Sequence, residues 1–123
     1  ANDVGFAINP MAVEGQIEGG AQMGLGYALT EELIVKDGKI LNPDLLDYRL
    51  FTSADMPEIK SIIVEPDAPT GPFGAKGVGE MGGTPTAAAI ANAIYDAVGV
   101  RITQLPMTPE RVLAAIMQKE ITE

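Results

Sequence analysis

Apolar positions in the first third of the chain recur at helical spacing. Ile17, Ala21, Leu25, Ala28 and Leu29 share one face of a segment running from Met11 to about Leu33, which predicts an amphipathic helix. Asn9 followed by Pro10 supplies an N-cap and a proline for the first helical position. Just upstream, Val4 to Ile8 reads as a short strand. Leu33–Val35 and Lys39–Leu41 flank Asp37-Gly38, a hairpin signal because both residues tolerate φ > 0. Residues 42 to 58 are irregular, punctuated by Asn42-Pro43 and Met56-Pro57, with Leu45, Leu46 and Leu50 expected to pack a short turn or extended piece. Ile59 to Glu65 reads as a strand. Thr86 to Val98 is dominated by small residues almost all round, which predicts a helix buried on several faces, capped by Thr84, opened by Pro85 and stopped by Gly99. Val100 to Leu105 is the last expected strand. Thr108-Pro109 then starts a final helix to about Lys119, with Val112, Leu113 and Ile116 as its apolar stripe. This irregular alternation with one hairpin predicts an α+β fold, a small mixed or antiparallel sheet packed with three main helices.

Glycine breaks the pattern in two places. Gly15, Gly19, Gly20, Gly24 and Gly26 fall inside the first helix. At roughly 1 kcal/mol each relative to alanine, they cost about 5 kcal/mol, a large share of a small domain's stability. Close approach of another backbone, or of a ligand, is the expected offset. Gly15/Gly19 and Gly20/Gly24 are spaced so that each pair shares a face; plain packing and packing with a cofactor over the same surface are both open. The second place is residues 66 to 83, where six glycines and three prolines crowd eighteen positions around Glu80. A structureless stretch of this length in a compact domain is functional or disordered. Phe73, Val78 and the ordered helix beyond favour a shaped loop that presents a carboxylate.

Composition narrows the chemistry. The 123 residues suffice for one domain with a modest core, and a 46% hydrophobic content excludes generic disorder. No apolar run approaches the roughly 18 to 20 residues that span a bilayer, and no signal peptide is visible. Ala1 and a start inside a strand lead us to expect a piece of a longer protein. A net charge of -9 disfavours nucleic acid and anionic membrane as partners. With no cysteine and no histidine, the chain offers no thiol nucleophile, iron–sulfur ligand or Ser-His-Asp triad, so acid–base work falls to Asp, Glu, Lys or Tyr.

Glu80 is the sharpest candidate. A carboxylate ahead of a helix could merely favour the positive helix end; in a tight, poorly solvated glycine frame it would serve as a base. Lys76, alone among basic residues in the loop, is either solvated or turned to an anionic cofactor. Gln22 is a capping or solvent-facing amide, or a ligand contact. Arg49, beside Tyr48, is expected to anchor a loop. Gly77-Val78-Gly79-Glu80-Met81-Gly82 matches the dinucleotide fingerprint by letter, but no strand leads directly into it. The Walker A spacing fails after Gly71.

Four ordered blocks carry a resemblance: Glu14-Gly15-Gln16-Ile17-Glu18-Gly19-Gly20, Gly24-Leu25-Gly26-Tyr27-Ala28-Leu29, Asp47-Tyr48-Arg49-Leu50, and Gly71-Pro72-Phe73-Gly74-Ala75-Lys76-Gly77-Val78-Gly79-Glu80. Together they resemble the C-terminal end of the molybdopterin-binding subunit of the xanthine dehydrogenase/aldehyde oxidase family of molybdenum hydroxylases, over nearly the whole chain. The resemblance implies that Glu80 is the active-site base and that Gly79 lies against the molybdopterin cofactor, whose cytosine dinucleotide form is one alternative. It also implies that a glutamine of the glycine-rich helix, here Gln22, contacts the pterin. Substrates would be N-heteroaromatics, purine- or nicotinate-like, or aldehydes, hydroxylated with oxygen from water. Residues 1–123 would then be a C-terminal molybdopterin-binding subdomain, a fragment inactive in isolation. Its expected partners are the remaining molybdopterin-binding domains and cytoplasmic iron–sulfur and FAD-bearing domains or subunits. This sequence departs from the family pattern at Met23, where glutamine is usual, at Phe51, where proline commonly follows Tyr-Arg-Leu, and at Met81, where proline often follows the glutamate. Two rivals are a non-catalytic structural or interaction module, in which the glycines only pack, and a nucleotide-binding protein using Gly77 to Gly82.

Overall fold

The computed structural model describes residues 1–122, in the order β1 (Asn2–Asp3), α1 (Pro10–Leu29), β2 (Val35–Lys36), β3 (Lys39–Ile40), β4 (Ile63–Val64), α2 (Thr86–Val98) and α3 (Pro109–Thr122). Three helices with small, mixed strand pairs give the expected α+β architecture. β1 and β4 pair in parallel, Asn2 opposite Ile63 and Asp3 opposite Val64. The chain then continues as a bridge rather than a strand. The Val4 amide donates to Val64 (3.0 Å), the Lys76 amide to Val4 (2.9 Å) and the Phe6 amide to Gly74 (2.7 Å), so residues 4 to 6 are sandwiched between β4 and the glycine-rich loop. β2 and β3 form the expected antiparallel hairpin. Its turn residues Asp37 and Gly38 both hold φ > 0, at 51° and 75°, the twist that suits a two-residue hairpin.

α1 starts where its cap chemistry dictates. The Asn9 side chain accepts from the Ala12 amide at 3.1 Å and Pro10 occupies the first turn. It stops at Leu29, short of Leu33, because Gly26 O takes both the Thr30 and Glu31 amides and closes the last turn. Val13 and Ile17 on α1 join Val4 and Ala7 as the core, and Ile63, Val78 and Met81 pack against it. α2 ends at Gly99, whose φ of 69° is left-handed.

The strand expected from Ile59 to Glu65 is reduced to Ile63–Val64, and further sequence expectations fail. Thr84 does not cap α2, because its hydroxyl donates to Glu80 O at 3.1 Å and Pro85 takes the cap position. None of α2's residues is buried; its main packing partner in this chain is α1. Val100 to Leu105 is no strand: no sheet edge faces it, and Val100 and Met107 act instead as buried anchors on either side. Leu45 and Leu46 lie 74% and 85% exposed rather than packed.

Polar pins hold the remaining pieces. Buried Asn42 accepts the Ile34 amide at 2.8 Å and donates to Glu32 O at 2.6 Å. Arg111 on α3 donates to Pro106 O and to Glu32 Oε1, both at 2.8 Å. Lys76 Nζ meets Asp3 Oδ2 at 2.6 Å, tying the loop to β1.

Asn42→Ala leaves two part-buried backbone groups without their partner and is expected to lower stability by about 1 kcal/mol, read as a lower urea midpoint at unchanged slope. Asn42→Asp does not restore it, because its second oxygen faces the Glu32 carbonyl. The Lys76 hydrogen bond, followed by that of the Gly5 amide, holds Asp3 below the ordinary aspartate range. Its contribution is complete above the unfolded aspartate value and disappears as pH falls through the lower folded value. Both partners are substantially exposed, so the effect is small. The stability difference between wild type and Asp3→Asn at neutral pH is therefore expected to shrink steadily as pH falls below the ordinary aspartate range; a difference that does not shrink on acidification contradicts the pairing.

Candidate cofactor-facing site

The site is built by how the glycines divide. A Cβ built on Gly20 would stand 3.0 Å from both Gly82 Cα and Gly83 N. One on Gly24 would meet Thr86 Cβ at 2.6 Å and Gly83 O at 3.0 Å. From the other side, a Cβ on Gly82 would lie 2.7 Å from Ile17 O, and one on Gly83 3.1 Å from Gly20 O. At Gly20 two backbones touch with no side chain between them, and at Gly24 the Thr86 side chain closes the contact. Gly26 is bare for a local reason, the Glu31 carboxylate that folds against it. Gly15 and Gly19 have nothing within 4 Å. Plain packing thus accounts for the Gly20/Gly24 pair, while the Gly15/Gly19 face is open.

Glu80 heads the turn that this contact seats. Its carbonyl accepts the Gly83 amide at 3.1 Å, the Thr84 amide at 3.3 Å and the Thr84 hydroxyl. Its neighbours Val78 and Met81 are anchored against the core, so the residue between them is turned outward. Among the described residues its carboxylate has no hydrogen-bond or ionic partner, and Glu80 is exposed. Gly79 beside it is exposed, and both Gly77 and Gly79 are open on their side-chain flank. No described residue accepts the amides of Gly77, Val78, Gly79 or Glu80. Consecutive unpaired amides on a bare backbone suit a polar or anionic group laid against them. The stretch therefore fits a cofactor edge, with the Glu80 carboxylate at its end.

The other expected residues fall elsewhere. Gln22 lies about 200° around α1 from Gly20, on the helix face away from the Gly82–Gly83 contact. Its Nε2 donates to Phe51 O at 3.3 Å. With Glu18, Gly19, Ser53, Met56, Pro57 and Ile59 it lines a cleft of about 470 Å³. Gly79 and Glu80 are thus brought together, and Gln22 is separated from them by the helix. Lys76 is engaged by Asp3. Arg49 has no side-chain ion pair among the described residues; its carbonyl accepts the Thr30 hydroxyl at 2.8 Å. Met23 is 67% exposed, whereas Phe51 helps line an apolar groove of about 570 Å³ with Leu29, Ile94, Met107 and Val112. Sequence reasoning missed Thr86. Its hydroxyl donates to Gly82 O at 3.2 Å, and the signal was a hydroxyl three residues beyond a Gly-Gly pair. The fingerprint Gly77 to Gly82 is separated from α2 by a turn, so it lacks the strand–turn–helix setting that gives it meaning. No group of three or more His, Cys, Asp or Glu among the described residues could hold a metal ion.

Comparison with known proteins matches this geometry to one family. A family model described as the molybdopterin cofactor-binding domain matches residues 1–57. The chain is 46% identical over 112 residues to the xanthine dehydrogenase molybdenum-binding subunit of Escherichia coli O157:H7, covering 89% of this chain and 15% of that protein. It is 41% identical over 118 residues to the 6-hydroxypseudooxynicotine dehydrogenase complex subunit gamma of Paenarthrobacter nicotinovorans, covering 93% of this chain and 15% of that protein. Among solved structures, quinoline 2-oxidoreductase from Pseudomonas putida 86 superposes with a TM-score of 0.85 at 38% identity, over 94% of this chain and 15% of that one. The chain therefore spans about 15% of the length of the curated relatives it matches, and it belongs to the xanthine dehydrogenase/aldehyde oxidase family of molybdenum hydroxylases as part of a molybdenum-binding subunit.

Proposed function

We propose that this chain is the C-terminal molybdopterin-binding portion of a molybdenum hydroxylase, that Glu80 is its active-site base, and that Gly79 lies against the cofactor. The observation that carries the reading is the outward, unpartnered carboxylate of Glu80, held between the core-anchored Val78 and Met81 at the end of a bare backbone. When bound, the molybdenum cofactor supplies the redox chemistry. The residues of this chain supply positioning and a proton acceptor. Gly77 and Gly79 let a flat group approach the main chain, and the free amides from Gly77 to Glu80 orient it. The Glu80 carboxylate accepts the proton released as water-derived oxygen is transferred to an electron-poor carbon. Other domains of the subunit would close over Glu80 and exclude water from it.

Gln22 keeps one amide hydrogen and its carbonyl oxygen after donating to Phe51. A contact from these to the cofactor requires a ligand long enough to reach round α1 to the Gly15/Gly19 face, as a dinucleotide form would. The substrate class we propose is an N-heteroaromatic, purine- or nicotinate-like, or an aldehyde. The relatives named for xanthine, 6-hydroxypseudooxynicotine and quinoline support the heteroaromatic option. Iron–sulfur and FAD-bearing partners complete the electron path, and a relative described as one subunit of a complex supports them. A second reading rests on the exposure of Glu80 in this chain: the 80–83 turn is a packing device within an interaction module, and the carboxylate stays in water.

Glu80→Gln in the assembled enzyme separates the two. The base reading predicts at least about a hundredfold loss of kcat with molybdenum and pterin content unchanged. Turnover within about tenfold of wild type, a loss under about 1.4 kcal/mol, supports the packing reading and overturns the base.

A further inference from the structure

The contact between α1 and the 80–83 turn does more than fill space. Thr84 N and Gly83 N both bond to Glu80 O, so the turn moves as one piece with Glu80. Its Gly82–Gly83 leg rests on α1 at Gly20, and the atoms opposing a Cβ there are Gly82 Cα, Gly83 N and Gly82 C, all backbone. No flexible side chain can rotate away to make room; the turn itself must shift. Thr86 latches the same leg by donating from Oγ1 to Gly82 O at 3.2 Å. We propose that Gly20 is a positioning residue, whose absent side chain, with the Thr86 latch, sets the height of the 80–83 turn above α1 and hence the reach of the Glu80 carboxylate. This rests on the reading of Glu80 as base. Gly20 touches neither substrate nor cofactor in this account and acts only through the turn.

The test uses the assembled enzyme. A displacement of a few tenths of an ångström at a proton-transfer site costs rate rather than binding, so Gly20→Ala is expected to lower kcat about tenfold with KM within about threefold. Molybdenum and pterin content stays at the wild-type level. In cofactor-free enzyme, the Gly83 and Thr84 amides are expected to exchange hydrogen about tenfold faster in Gly20→Ala. In a Glu80→Gln background, adding Gly20→Ala changes the residual rate by less than about twofold, because the residue through which it acts is already gone. A loss of equal size in both backgrounds, or a kcat within about twofold of wild type, overturns the proposal. If Gly20→Ala fails to assemble, Thr86→Val takes its place. It removes the latch at nearly constant volume and is expected to lower kcat about threefold, with Thr86→Ser restoring it; a wild-type rate in Thr86→Val overturns the proposal. Retained activity in Glu80→Gln alone overturns the base reading instead, while the exchange measurement still reports on the seat.

Discussion

Everything that positions the candidate site depends on two backbones meeting without side chains between them. Gly20 on α1 faces Gly82 and Gly83 in the loop, which in turn face Ile17 and Gly20, with Cβ positions falling 2.7 to 3.1 Å from the opposing backbone atoms; Gly24 meets Gly83 O at 3.0 Å and the Thr86 side chain at 2.6 Å. Below 3.0 Å a real Cβ is essentially never found, and at 3.0 to 3.1 Å the neighbour must give by a few tenths of an ångström. The conformational cost of glycine within a helix is about 1 kcal/mol per position, and at these two positions close packing and the Thr86 latch offset it. The seat converts a flexible glycine-rich stretch into a turn with a fixed height. Val78 and Met81 fix its rotation by anchoring on Val4, Ala7, Val13 and Ile17.

The same logic separates structural glycines from exposed ones. A Cβ on Gly15, Gly19, Gly77 or Gly79 would meet nothing within 4 Å, so no close approach within this chain calls for glycine there. Two lie on the α1 face turned away from the seat, and two lie on the loop beside Glu80. The exposed apolar side chains follow suit, among them Phe6, Ile8, Met23, Tyr27, Leu46 and Phe73, each more than half exposed. With relatives whose matched portion is only 15% of their length, these surfaces suit burial by further domains of a larger subunit.

Much of the fold was legible where a local rule acts alone. Asn9-Pro10, Asp37-Gly38 and Gly99 each specify a backbone conformation that only a few residues supply, and each stands as expected. Errors arose where tertiary competition decided. Thr84 had the chemistry of a cap, but Glu80 O claimed its hydroxyl. Val100 to Leu105 had strand propensity but no edge to pair with. The small residues of α2 promised burial on several sides, which packing chiefly against α1 does not give. For the site, the pairing of Glu80 with Gly79 was legible because they are adjacent in sequence. That Gln22 faces away from them was not, since the side of α1 taken by the loop is set by Gly82 and Gly83, some sixty residues on. Thr86 showed only as a hydroxyl near the Gly-Gly pair, because its partner is a carbonyl and every residue carries one.

The most direct test of the account is a crystal structure of the assembled, cofactor-loaded enzyme with substrate or an inhibitor bound. The account predicts Gly82 still seated on Gly20 and a Glu80 carboxylate oxygen within about 3 Å of the oxygen or nitrogen whose proton it takes. A Glu80 side chain left in bulk solvent, more than about 8 Å from the bound molecule and beyond the reach of one bridging water, would contradict it.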